Sequence, residues 1–146
     1  MEVQTKSNGI VNVDEKQLVT FPNGIMGFEK YTKYALIESE YQPFIWLQST
    51  EEKNLAFLLI DPFIVSNEYE ADIDDESLKS IGITSPEDLI VMTIVTIPND
   101  GSAITANFLG PIVINRKNNV CAQVVLSDNR WTTKFNIVEA LKKKGE

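Results

Sequence analysis

The sequence predicts a mainly β protein: a single compact β-barrel-like domain with a short helical insertion. Three observations predict it. Apolar, β-branched and aromatic runs of strand length recur along the chain, turn residues bound nearly every one, and helix start and stop signals are few. The 146 residues, 43% hydrophobic and 23% charged, favour one domain over residues 1–146 with a core of its own.

Taken in order, Tyr34-Ala35-Leu36-Ile37 is a strand-like run that follows a glycine-rich turn. Pro43-Phe44-Ile45-Trp46-Leu47 opens on a proline, which a strand tolerates at its first residue. Leu55 to Ile60 is apolar throughout and stops at Asp61-Pro62. Asp74 to Ile81 reads as a short helix, with acids in its first turn and Gly82 past its end. Ser85-Pro86-Glu87-Asp88 has a cap and a proline at the first helical position, yet the strand at Leu89 leaves it barely one turn. The longest run, Leu89 to Ile97, reads LIVMTIVTI and ends in the turn Pro98-Asn99-Asp100-Gly101. Its unbroken hydrophobicity predicts a strand covered on both faces.

Shorter strands follow at Ile104 to Asn107, Ile112 to Asn115 and Val120 to Leu126. The last two are joined across Arg116-Lys117-Asn118-Asn119, whose asparagines tolerate the positive φ of a hairpin turn. Asn136 to Lys144 either forms a terminal helix, with Lys142, Lys143 and Lys144 near its negative end, or frays. In the second case residues 131–146 are a loosely held basic tail.

Composition excludes most chemistry. There is no histidine, which removes Ser-His and Cys-His nucleophilic catalysis and most zinc sites. Cys121 lies in the apolar run Val120 to Leu126 and reads as a buried structural thiol. The glycines never form a phosphate-cradling pattern. Asp72 to Glu76 fails as the start of a calcium loop, because Ser77 stands at the glycine position and Ile83 at the bidentate glutamate. Paired carboxylates for glycoside hydrolysis have no spacing that selects them. We therefore expect no enzyme activity, no metal and no cofactor. One cysteine, no signal-peptide pattern and no membrane-length apolar run lead us to expect a cytoplasmic protein.

Charge points to a partner. The net charge of −8 argues against direct nucleic-acid binding and suits a basic protein. Residues 51–88 hold eleven acids against Lys53 and Lys79, a local −9, whereas residues 111–146 hold seven bases against three acids. Such a run is either a solvated loop and helix start or a recognition surface. The candidate partner-binding residues are Glu68, Glu70, Asp72, Asp74, Asp75 and Glu76, where the acids are densest.

Six segments, in this order and spacing, carry a family resemblance. They are Phe21-Pro22-Asn23-Gly24-Ile25-Met26-Gly27-Phe28-Glu29, Pro43 to Ser49, Asp61-Pro62-Phe63, Ile94 to Pro98, Ala106 to Asn115, and Ala122 to Leu126. Together they resemble the flagellar assembly factor FliW family. The resemblance implies a β-barrel-like fold without catalytic activity and two partners. One is CsrA, a basic RNA-binding homodimer that represses translation of flagellin mRNA; the other is flagellin itself. The segments also have a purely structural reading. Phe21 to Gly24 is a turn, Phe28, Phe44 and Phe63 read as core residues, and Asn107 and Asn115 as partners of loop backbone. The chief rival function is an unrelated sugar- or peptide-binding β-barrel, which requires Trp46 or Trp131 exposed in an aromatic cleft.

Overall fold

Pairing along the chain, in the computed structural model, builds most of the architecture; residues 1–144 are described. Strands β3 (Leu18–Thr20), β4 (Lys33–Glu38), β5 (Ile45–Ser49), β6 (Ala56–Ile60) and β7 (Leu89–Thr96) each pair antiparallel with the next. β9 (Ile112–Asn115) pairs antiparallel with the first half of β7 and with β10 (Val120–Gln123). β10 then meets β3, closing a seven-stranded barrel. An odd ring cannot alternate direction all the way round, so one neighbouring pair must be parallel. That pair is β10 with β3, in register only at Val120 and Thr20. Asn119, at φ 59°, reinforces the seam: its carbonyl accepts from Thr20 N at 3.0 Å and its Nδ2 donates to Leu18 O at 2.9 Å.

Side-chain alternation sorts the barrel into an inside and an outside. Val19, Phe21, Ile25, Tyr34, Leu47, Leu59, Met92, Ile112, Ile114 and Cys121 fill the interior. Outside, the hairpin of β1 (Glu2–Gln4) and β2 (Ile10–Asn12) lays Val3 and Val13 over Ala35 and Ile37. A second outer layer covers Ile60, Val91, Val95 and Val113 with Tyr69, Ile81, Phe108, Trp131 and Ile137. β7 is thus covered on both faces, as its composition predicts: Met92 and Ile94 face the interior, Val91 and Val95 the outer layer. Its second half pairs with β8 (Thr105–Ala106), which pairs with β11 (Phe135–Asn136).

The helices are α1 (Pro62–Val65), α2 (Asp75–Ser80) and α3 (Ile137–Lys144). α2 matches the expected insertion, with Asp74 as its N-cap, and Pro86–Asp88 is a single 3-10 turn. The fold departs from the sequence reading in three places. β1, β2 and β3 are three residues each, too short for alternation to show. Asp61-Pro62 does not merely end β6: Asp61 accepts from Phe63 N at 2.8 Å and caps α1. β5 starts at Ile45, two residues beyond Pro43. Of the two readings of the C-terminal region, the terminal helix is the one present: Trp131 is 7% and Ile137 1% exposed, and Asn136 accepts from Glu139 N to start α3, while residues 145–146 of the expected tail lie outside the described residues.

One turn carries a testable constraint. Gly24 has φ +70°, and a Cβ there would lie 2.5 Å from the Glu29 Cα. Gly101 also has positive φ, +82°, but a Cβ would meet nothing within 4 Å. Gly101→Ala is expected to lose about 1–2 kcal/mol, the ordinary cost of a left-handed residue. Gly24→Ala should lose clearly more, because backbone must also move. Paired urea melts of the two variants check this; equal losses would remove the Glu29 clash as a cause.

Candidate functional site

The chain between α1 and α2 is held at alternate residues. Tyr69 is 3% exposed; its ring lies 4.8 Å from those of both Phe108 and Trp131, and its hydroxyl donates to Phe108 O at 2.8 Å. Burial pushes the Tyr69 phenol up, so it remains a neutral donor. Ala71 and Ile73 pack on the same core. Glu68, Glu70, Asp72 and Asp74, the residues between, are therefore turned to solvent. These four carboxylates, Glu68 in the turn after α1 and the other three leading to α2, make an exposed row along the segment. Asp75 and Glu76 continue it on the exposed first turn of α2. All six sequence-predicted residues thus lie along one continuous exposed stretch.

Their tasks differ. Asp74 accepts from Ser77 Oγ at 2.6 Å and Ser77 N at 3.1 Å. Those bonds, the hydroxyl's first, hold its carboxyl below the usual carboxylate range. Asp74 is occupied as a helix cap. Glu70 lies 3.6 Å from the Arg130 guanidinium, which is itself clamped by Asp128 at 2.7 Å and sits 5.5 Å from the Trp131 ring centroid. Glu68, Asp72, Asp75 and Glu76 have no ion-pair partner among the described residues. Four exposed carboxylates thus stand without an ion pair among the described residues, and Glu70 shares Arg130 with Asp128.

Beside the row stand two apolar side chains that the sequence reading missed or misplaced. Phe63 and Ile64 are 45% and 40% exposed on α1. The cap Asp61 and the proline at the first helical position were the available signal, since one helical turn there throws residue 63 outward. The Phe63 ring lies 5.6 Å from that of Tyr69 in a T-shaped pair. Phe28 is likewise 40% exposed, its ring 5.2 Å from Phe57, whereas Phe44 is half-buried and packs against the main core cluster. Phe28 and Phe63 leave the core because each lies in a short turn-bounded segment whose neighbours, Ile25 and Val65, take the buried positions.

The most recognisable segments meet in a network of turn locks. Met26 N donates to Gln123 Oε1 at 3.0 Å, Gln123 Nε2 to Gly110 O at 3.0 Å, and Gly110 N to Asn107 Oδ1 at 2.8 Å. Asn115 donates from Nδ2 to Ile81 O at 2.9 Å and accepts from Lys117 N at 3.0 Å. Both asparagines therefore serve loop backbone, as expected. Met26 and Val125 are 55% and 61% exposed at this second place.

Cys121 is 1% exposed, and burial pushes its thiol up to about 12, away from reactivity. Among the described residues no three metal-ligating side chains cluster, and no helix is long and apolar enough to cross a membrane. The aromatic cleft that the rival function needs is missing at both tryptophans. Trp131 is buried, and Trp46 packs in the small core beneath the β1–β2 hairpin.

Comparison with known proteins gives this arrangement a family. A family model described as FliW protein matches residues 2–137. A flagellar assembly factor FliW of Treponema denticola is 48% identical over 145 residues, covering 99% of each chain. The Bacillus subtilis protein of the same name is 41% identical over 138 residues, covering 94% of this chain and 96% of its own. A crystal structure of the flagellar assembly factor FliW superposes with a TM-score of 0.85 at 36% identity, over 94% of this chain and 96% of the other. Matched by the family model over residues 2–137 and by relatives over nearly its whole length, the chain belongs to the FliW family.

Proposed function

We propose that this chain is a cytoplasmic, non-catalytic flagellar assembly factor that binds CsrA and flagellin in turn. Bound to CsrA, it antagonises repression of flagellin mRNA; bound to flagellin, it acts as a chaperone-like partner. The observation that carries this is the acid row of Glu68, Glu70, Asp72, Asp75 and Glu76, held outward by Tyr69 within a chain of FliW family. A basic homodimer is the chemistry such a row recognises, and fixed like charges speed the encounter with it. Flagellin's terminal segments are amphipathic helices before assembly, and their contact is apolar, helix against groove.

A switch requires that each partner weaken the other's binding, and the coupling is reciprocal by thermodynamic necessity. Titrating flagellin into a labelled complex of this protein with CsrA is therefore expected to release CsrA. Raising salt should weaken the CsrA complex more than the flagellin complex. A stable ternary complex with undiminished CsrA affinity would rule out the switch. CsrA binding indifferent to salt would remove the acid row from the interface.

A further inference from the structure

The chain contains two asparagine–glycine pairs, Asn8-Gly9 and Asn23-Gly24, and the fold treats them differently. Both asparagines are exposed, and both glycines have positive φ, +66° and +70°. Gly9 lies in the loop joining β1 to β2. Its N–H donates to no group among the described residues, and a Cβ there would meet nothing within 4 Å. The Asn8 side chain is equally unpinned: only its main-chain N–H is engaged, with Thr5 Oγ1 at 2.8 Å. Gly24 is the opposite case. Its N–H donates to Phe21 O at 2.9 Å, and its Cα is wedged against the Glu29 backbone.

We infer that Asn8 is a site of spontaneous deamidation, and that the fold protects Asn23 from the same reaction. The Gly9 amide nitrogen, giving up its proton to water, attacks Cγ of Asn8. The new C–N bond closes a five-membered imide while the Cγ–Nδ2 bond breaks, and ammonia leaves with the proton returned. Water then opens the imide. Addition at Cγ gives aspartate, and addition at the main-chain carbonyl gives isoaspartate. Ring closure needs the glycine nitrogen free of a hydrogen bond, as that of Gly9 is among the described residues and that of Gly24 is not. Asp100-Gly101 shares the open geometry, but Ser102 holds the Asp100 carboxyl below its usual range, and a carboxylate is a poor electrophile.

The isoaspartyl product has a local consequence. The Thr5–Gly9 loop closes through Thr5 N and Thr5 Oγ1, both donating to Gly9 O at 2.7 Å, and Lys6 N donates to Gln48 Oε1 at 2.9 Å. An extra main-chain methylene at residue 8 breaks that closure and loosens the hairpin lying over Ala35 and Ile37.

The test is incubation of the intact protein in mildly alkaline buffer, with both asparagine peptides followed by mass spectrometry and isoaspartate by methyltransferase labelling. The Asn8 peptide is expected to convert at least about tenfold faster than the Asn23 peptide, the scale of one hydrogen bond that must break first. In denaturant the two rates should converge, since the reacting dipeptides are the same. Equal native rates, or a faster Asn23, would overturn the inference. So would a difference that persists in denaturant, because local sequence and not the fold would then be its cause.

Discussion

Replacing Phe108 by alanine is expected to remove about 3–5 kcal/mol of stability, a large part of the 5–15 kcal/mol a domain of this kind holds. Phe108 is fully buried and stacks on Phe135 at 4.3 Å between ring centroids, with Tyr69 at 4.8 Å and Trp131 at 5.8 Å. No backbone shift closes such a void cheaply, because the four rings come from three separate stretches of the chain. Its main-chain carbonyl also accepts the Tyr69 hydroxyl, so relaxation at residue 108 disturbs the anchor of the acid row. Urea unfolding followed by tryptophan fluorescence measures the loss, with Trp131 as the reporter inside the cluster. A loss below about 1 kcal/mol would mean that this outer layer contributes little and that the barrel interior carries the fold.

The second large effect is on binding. Changing Glu68, Glu70 and Asp72 together to lysine is expected to weaken CsrA binding about a hundredfold at low salt, as three attractions become repulsions. The loss should shrink as salt rises. Asp74 is left out of the set deliberately, because its carboxylate caps α2 and its loss would confuse folding with recognition. Reversing Glu2, Glu15 and Glu38, exposed residues elsewhere on the molecule, changes net charge equally and should have a much smaller effect. Circular dichroism matching the parent chain establishes that the triple variant is folded. If it binds CsrA as tightly as the parent does, the interface lies elsewhere.

Much of this fold is visible in the sequence where the signal is local. β7 shows as a run of nine apolar or threonine residues because both its faces are covered, and α2 shows through Asp74, its acids and Gly82. What stays hidden depends on distant residues. β3 is three residues long and becomes a strand only because β4 and β10 flank it, the latter a hundred residues away. The acidic run is plain from composition, yet composition does not distinguish its members. Asp74 is occupied by Ser77, and Glu70 is half-neutralised by Arg130, sixty residues downstream. Exposed Phe63 lay within reach of local reasoning, through the Asp61 cap and Pro62. The turn locks among Met26, Gly110 and Gln123 did not, since two separate loops and the end of β10 build them.

The parallel contact between β3 and β10 sets an order of events during synthesis. β3 to β7 can pair in sequence as each emerges, but the ring stays open until Val120 reaches Thr20. At roughly 5–20 residues per second, β3 waits about 5–20 s on the ribosome with one edge unpaired. A bare strand edge is a template for pairing with another chain, and here the chain's own late segment must win that competition. Ribosome-bound chains that stop before residue 120 should therefore associate with one another, while chains extended past Gln123 remain apart. The last strand of the barrel to be made is the one that renders the nascent protein safe from its neighbours.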